Sequence, residues 1–149
     1  MAITVPETIL FDVDDGVATI TVDRPPVNAL TSEEYVEYAD FFGSLSDHGD
    51  VQVVVIEATG EDCFLAGHDV NEFVDLTPDA AETLTDRARA FFRAVDEVAW
   101  PTIAAVDGYA LGTGLAVTAV TDLRYATTDA EFGLPEVDRG VLGGYKFAQ

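Results

Sequence analysis

Residues Val51 to Ala58 form a nearly continuous apolar run, rich in Val and broken only by Gln52 and Glu57. Such a run suits a strand buried on both faces of a parallel sheet. Parallel neighbours cannot be joined by tight turns, so the chain must return through crossover segments. The sequence supplies them. From Pro78 onward, Leu84, Ala88, Phe91, Phe92, Val95 and Val98 fall on one helical stripe that ends before Trp100-Pro101. Thr102 to Val106 then reads as a strand that feeds a Gly-punctuated turn, Asp107 to Leu115, and an apolar helix to about Val120. Short strands are expected at Leu123 to Ala126 and Glu131 to Phe132.

Upstream, Ile9 to Val13 and Val17 to Asp23 alternate across Asp14-Asp15-Gly16, a hairpin signature. The prolines in Asp23 to Leu30 break the pattern, because neither can donate to a ladder. Thr31 or Ser32 caps a helix to about Leu45. With Ser32 as cap, Tyr35 would occupy the third position and spoil a capping box, while Glu33 and Glu34 suit the first turn. Thr59 to His68 reads as a loop. Strands separated by helices imply βαβ crossovers, hence an α/β fold with a mixed, largely parallel sheet in one domain spanning residues 1–149.

Charge narrows the function. The net charge is −21, from 28 acidic residues against six Arg and the single Lys146. Nucleic acid and anionic membrane surfaces are excluded as partners, since both demand a basic patch. The acid is dispersed: Asp12, Asp14, Asp15, Asp40, Asp47, Asp50, Glu61, Asp62, Asp75, Asp79 and Asp86 recur at loops and element edges. We read this as adaptation to concentrated salt, which screens the self-repulsion. Hydrophobic residues make up 48% of the chain, which argues against disorder. The N-terminus lacks the basic and apolar blocks of a secretion signal, and no segment is long and apolar enough to span a bilayer. Cys63 is the only cysteine, so no intrachain disulfide can form, which fits a reducing cytoplasm; it reads as a buried, idle thiol.

Two loops carry the chemistry. The Asp107 to Leu115 turn opens a helix whose first N–H groups lack intrahelical acceptors and sit at the positive end of the macrodipole. Phe64 to Val70 follows a central strand, whose carboxyl end is where ligands gather in such sheets. One N–H from each loop, aimed at one point, would stabilise a developing oxyanion. The glycines would equally serve tight helix packing, and the sequence leaves both readings open. The His68 ring has only Asp69 beside it, with His48 far off, so no metal ligand set forms. Asp69 caps a short helix starting at Val70. Tyr109 and Phe132 read as core aromatics. There is no G-x-S-x-G, and neither histidine has a triad partner.

Four ordered segments, Arg24-Pro25-Pro26-Val27-Asn28-Ala29-Leu30, Ala66-Gly67-His68-Asp69-Val70, Ala104 through Gly114, and Phe132-Gly133-Leu134-Pro135-Glu136, resemble the crotonase (enoyl-CoA hydratase/isomerase) family across essentially the whole chain. The resemblance implies a spiral ββα core that binds an acyl-CoA thioester, with coenzyme A part of the substrate and no separate cofactor. It implies that the N–H groups of His68 and Thr113 hold the thioester oxygen. Val27, Ala29, Ala66, Asp69 and Val70 match CoA-contacting positions. Of the family's two glutamates, Glu136 is kept and the other is Ala116, which shifts weight toward an isomerase or another one-acid reaction without excluding hydration. Thr113 replaces the usual middle glycine, which could narrow or misaim the donor pair. The chain also stops before the helical segment that completes the family's acyl pocket and trimer, so we expect it to lack that C-terminal part; Gly143 to Gln149 reads as a helix cut after about one turn. A trimer-based homo-oligomer is expected of a longer form. A non-catalytic thioester binder or inactive paralogue is the competing reading.

The acidic coat makes a first prediction. Added KCl shortens the Debye length from about 10 Å at 0.1 M to about 3 Å at 1 M, so the Tm should climb steadily over that range. Equal stability in dilute buffer would overturn the salt-adaptation reading.

Overall fold

The computed structural model describes residues 4–60 and 62–140. The helix start expected at Gly143 to Gln149, together with Lys146 and Glu61, lies outside the described residues.

The elements run β1 (Ile9–Asp14), β2 (Val17–Val22), β3 (Ala29–Leu30), α1 (Ser32–Ser44), β4 (Val53–Ala58), β5 (Cys63–Leu65), β6 (Gly67–His68), α2 (Pro78–Asp96), β7 (Thr102–Val106), β8 (Tyr109–Leu111), α3 (Thr113–Val120), β9 (Leu123–Ala126) and β10 (Glu131–Gly133). Short 3-10 helices sit at Leu45–Asp47, Val70–Phe73 and Pro135–Arg139. The main sheet has the order β1-β2-β4-β7-β9. Only the β1–β2 hairpin is antiparallel. Asp15 and Gly16 at its tip have φ of 44° and 83°, the paired positive values of a type I′ turn whose twist matches the strands. The α/β class and mixed, largely parallel sheet are as expected.

One face of this sheet is closed. Ile20, Val54, Ile56 and Ala104 pack with Tyr35, Tyr38, Phe41 and Phe91 of α1 and α2 in a single core, and the two helices pack on each other. The other face corrects the expectation for β4. Val53 and Val55 are half-buried, as are Ile103 and Ala105 beside them. At the edge, Leu123 and Tyr125 are 49% and 66% exposed. Alternate residues of a strand point to opposite sides, and the α1–α2 layer closes only one of them.

Further corrections concern short elements. The Thr59–His68 loop contains β5 and β6, and the glycine turn contains β8. β8 joins β5 and β10 in a second, all-parallel sheet, while β6 pairs with β3. The α1 cap is Thr31, which places Glu34 at the third position and completes the capping box that Ser32 would have spoiled. Tyr109 and Phe132 are not core residues: they are 45% and 46% exposed, Tyr109 because β8 turns Ala110 inward and its neighbours out, and Phe132 on the neighbouring strand β10, which the core does not cover.

Gly114 shows how tightly α3 is seated, since a Cβ there would fall 2.3 Å from Leu65 O. Gly43 in α1 has nothing within 4 Å of such a carbon. Two substitutions to Ala should therefore have opposite signs. Gly43→Ala should stabilise by about 0.5–1 kcal/mol through helix propensity, and Gly114→Ala should destabilise by about 3 kcal/mol through forced displacement. Urea titrations of the two variants would read both, and equal behaviour would contradict this packing.

Candidate functional site

β4 and β7 are adjacent and parallel, with Val54 opposite Thr102 and Ile56 opposite Ala104. The segments that leave their carboxyl ends therefore emerge at the same edge of the sheet. The first runs through β5 to β6; the second runs through β8 to α3. They meet at Gly67 and Gly112. A Cβ on Gly67 would lie 3.3 Å from Leu111 O and 3.7 Å from Thr113 N, and one on Gly112 would lie 3.7 Å from Gly67 Cα. Both glycines have positive φ, 112° and 49°, which L side chains rarely adopt, and a side chain at Gly67 would in addition crowd Leu111 O.

Gly112 makes the turn, at φ 49° and ψ −108°, a conformation that L residues rarely adopt. Thr113 is then the first residue of α3 and keeps ordinary helical geometry, so its branched side chain does not distort the backbone. The first internal helical bond runs from Ala116 N–H to Gly112 O at 3.0 Å, which leaves the Thr113 N–H among those without an intrahelical acceptor. On β6, Asp69 N–H donates to Leu30 O at 2.8 Å. Successive N–H groups of a strand point to opposite sides, so the His68 N–H faces away from β3.

Glu136 reaches the same point from a third direction. Gly112 N–H donates to Gly133 O at 2.9 Å, which fixes β10 beside the turn and starts Pro135–Arg139 from there. Both Glu136 carboxylate oxygens would be 3.5 Å from a Cβ on Gly112. Ala116, one helical turn further on, is 2% exposed and brings no second acid. Gly67–His68, Gly112–Thr113 and the half-buried Glu136 carboxylate thus form one cluster.

The remaining residues singled out from the sequence line the β3–β6 ladder. Ala66 N–H donates to Val27 O at 3.1 Å, and Ala29 sits opposite Gly67. Val27 and Val70 are 42% and 70% exposed. Asp69 caps the Val70–Phe73 helix through Asn71 N–H at 3.0 Å. That bond, the Asn71 amide and Arg24 together hold the Asp69 carboxyl below its ordinary range. Two residues of this region had no role in the sequence reading. Asn28, only 2% exposed and with φ 53°, donates to Thr59 O and Cys63 O at 2.9 and 3.0 Å, tying the proline loop to β5. Arg24 joins Glu34 at 2.8 Å and Asp69 at 3.5 Å, and its guanidinium also donates to Ala29 O. Cys63 is buried, which raises its thiol pKa and keeps it protonated.

His68 has a buried ring. It stacks on Tyr35 at a centroid distance of 5.5 Å and meets the edge of Phe73 at 4.9 Å. Its Nε2 is 3.1 Å from Glu72 Oε2, off the direction of a hydrogen bond, and neither ring nitrogen has a hydrogen-bond partner among the described residues. Burial lowers the His68 pKa, against the opposing pull of Glu72 and Asp69. Above Thr113, the hydroxyl of Tyr35 lies 2.6 Å from Thr113 Oγ1. Among the described residues no group of three or more His, Cys, Asp or Glu is arranged to hold a metal, and no helix is long and apolar enough to cross a membrane. A groove of about 770 Å³ lies elsewhere: Glu33, Glu37, Asp40 and Asp47 line it with Arg24. Its carboxylates suit neither an anionic ligand nor the cluster's chemistry.

A family model described as enoyl-CoA hydratase/isomerase matches residues 12–149. A (7aS)-7a-methyl-1,5-dioxo-2,3,5,6,7,7a-hexahydro-1H-indene-carboxyl-CoA hydrolase of Rhodococcus jostii (strain RHA1) is 42% identical over 132 residues, covering 87% of this chain and 50% of that protein. A short-chain-enoyl-CoA hydratase of Clostridium acetobutylicum is 31% identical over 138 residues, covering 92% of this chain and 53% of that protein. Among solved structures, an enoyl-CoA hydratase from Bacillus anthracis superposes with a TM-score of 0.87 at 26% identity, over 93% of this chain and 54% of its own. The chain spans about half the length of the curated relatives it matches.

The lowered pKa of His68 has a signed consequence. The unfolded ring takes up a proton near pH 6.5 while the folded ring resists until a lower pH, so the unfolded state binds more protons between the two values. The stability contributed by neutral His68 is present above pH 6.5 and is lost as pH falls below it. Denaturation curves from pH 7.5 to 5 should show a steeper decline for the wild type than for His68→Phe; parallel curves would contradict this.

Proposed function

The chain belongs to the enoyl-CoA hydratase/isomerase family, and from that premise we propose that it forms the thioester-activating half of an acyl-CoA enzyme. The thioester oxygen is held between the His68 and Thr113 N–H groups, and Glu136 moves the proton. What carries the reading is the convergence of Gly67–His68, Gly112–Thr113 and Glu136, with both carboxylate oxygens 3.5 Å from a carbon built on Gly112. Two backbone donors aimed at an oxygen that gains charge are worth several kcal/mol, on the order of 10²–10³ in rate for each donor. They need no titration and no side-chain reorganisation. Val27, Ala29, Ala66, Asp69 and Val70 form the flank proposed for the CoA moiety, and the reaction uses no cofactor beyond the CoA that the substrate carries.

A lone carboxylate fits a proton shift best. Glu136 takes a proton from C2 of a 3-enoyl thioester, the electron pair spreads onto the oxygen held by the two N–H groups, and the same proton returns at C4 as the double bond moves to C2. The atoms balance without water or a second acid, which matches Ala116 at the other glutamate position. Hydration of a 2-enoyl thioester is the alternative reaction of this site: water adds at C3, the resulting enolate oxygen is held by the same two N–H groups, and C2 is then protonated. We further propose that the whole protein works in the cytoplasm, in concentrated salt, as a trimer-based homo-oligomer.

Separate assays in high salt with 2-enoyl and 3-enoyl thioesters, on the chain and on a form extended through the downstream reading frame, distinguish the reactions. Thioester binding without turnover by either form would favour a binder. Glu136→Gln should lower kcat by about 10²–10⁴ while sparing thioester binding. Unchanged turnover would remove Glu136 from the mechanism.

A further inference from the structure

Tyr35 of α1 touches the side chains of both residues whose N–H groups are assigned to the thioester oxygen. Its hydroxyl is 2.6 Å from Thr113 Oγ1. Its ring stacks on the His68 imidazole at 5.5 Å and 28°. The same ring is stacked with Phe91 at 5.9 Å and 18°, so helix α2 takes part in clamping it. Tyr35 is 2% exposed, Thr113 8%, and the His68 side chain 9%. The His68 ring lies between the faces of Tyr35 and Phe73, with Nε2 3.1 Å from Glu72 Oε2, so Tyr35 is one of the groups that hold it in place.

We propose that Tyr35 is a positioning residue that fixes the separation and aim of the His68 and Thr113 N–H groups. The inference rests on the reading of those two groups as the donors to the thioester oxygen. The donors come from different segments, which the β5–β8 pairing and the seat of Gly114 on Leu65 hold together upstream and downstream of the site. At the donors themselves the residues that meet are Gly67 and Gly112, which have no side chains to interlock, so the fine aim of each N–H is left to the residue that follows. Tyr35 sets that aim by holding the residue after each glycine: a directional hydroxyl bond on one side and a stacked face on the other. Both groups of the hydroxyl pair are buried, so water does not compete for the bond. Desolvation, with the nearby charges of Glu72 and Glu136, keeps the phenol protonated throughout the working pH range. The threonine that replaces the family's glycine thus becomes an anchor point.

The test uses acetoacetyl-CoA, a β-keto thioester whose bound enolate is seen by its ultraviolet absorption and grows with the quality of the anion-holding donors. Tyr35→Phe keeps the stacked ring and deletes the hydroxyl. Thr113→Val deletes the partner hydroxyl at nearly constant shape and reads the same bond if Tyr35→Phe folds poorly. Wild type should develop the enolate band. Each single variant should lower the bound enolate fraction and kcat about tenfold, with the Kd for CoA unchanged, and the double variant should lose no more than either single. An undiminished band in Tyr35→Phe, or losses that add in the double variant, would overturn the positioning role. A purely structural role would instead lower Tm and CoA affinity together while leaving the enolate fraction of the bound thioester intact, and that outcome also rejects the proposal. A wild type that binds acetoacetyl-CoA without an enolate band would reject the N–H pair itself, and the proposal with it.

Discussion

The candidate site depends on two backbones meeting at glycines whose positive φ other residues rarely adopt. Gly67 leaves room for Leu111 O and Thr113 N, and Gly112 leaves room for Gly67 and for the Glu136 carboxylate. Gly114 extends the same contact by letting α3 press against Leu65. This backbone contact is least forgiving at Gly114, where the main chain of Leu65 cannot change rotamer to absorb an added methyl. It also has a chemical consequence: it brings N–H groups, not side chains, to the point of convergence. Such donors have a fixed charge distribution and a geometry set by the fold.

The sheet provides the convergence before any loop is considered. Adjacent parallel strands end at one edge, so the chains leaving β4 and β7 start as neighbours. The second sheet keeps them together, because β8 pairs with β5 on one side and β10 on the other. Glu136 is carried by that arrangement: once Gly112 N–H is bonded to Gly133 O, the carboxylate three residues later has little freedom over where to go. Asn28 performs the matching task on the other flank, using one buried amide to fasten the proline loop to Cys63 and Thr59. The site is thus assembled by hydrogen bonds between short elements, on a base made rigid by the aromatic core under β2, β4 and β7.

Long periodic elements were legible in the sequence, and very short ones were not. The hairpin, the Pro78 helix and the strand from Thr102 to Val106 carry enough repeats for period 2 or 3.6 to stand out. β3 and β6 have two residues each, too few for any period, and exist because each satisfies the other's backbone. β4 was read as buried on both faces because hydrophobicity records what a strand can bury, while burial depends on which layers are present. For α1 the sequence offers Thr31 or Ser32 as the cap, and only Thr31 puts Glu34 within reach. Of the candidate site, Glu136 and the two proposed donors are singled out by motif order, which carries their positions but not their convergence. Tyr35 could not be found that way. In sequence it is one apolar-face aromatic among several on α1, and its partners lie 33 and 78 residues away.

A site of this construction suits the solvent that the composition points to. Concentrated salt shortens the reach of exposed charges to a few ångströms and thereby weakens surface ion pairs such as Arg89–Asp86. It does far less to a bond between buried groups or to N–H dipoles held inside a backbone contact. The proposed ligand is itself anionic, and the chain carries 28 acidic side chains and a net charge of −21. In dilute buffer the field of the coat would slow its approach. With the coat screened, the long-range repulsion falls away, while the short-range donors, the Tyr35–Thr113 bond and the carboxylate beside Gly112 keep their strength. The same charge that would work against binding in fresh water becomes a solubility device in brine, provided that recognition is built from buried dipoles in place of surface cations.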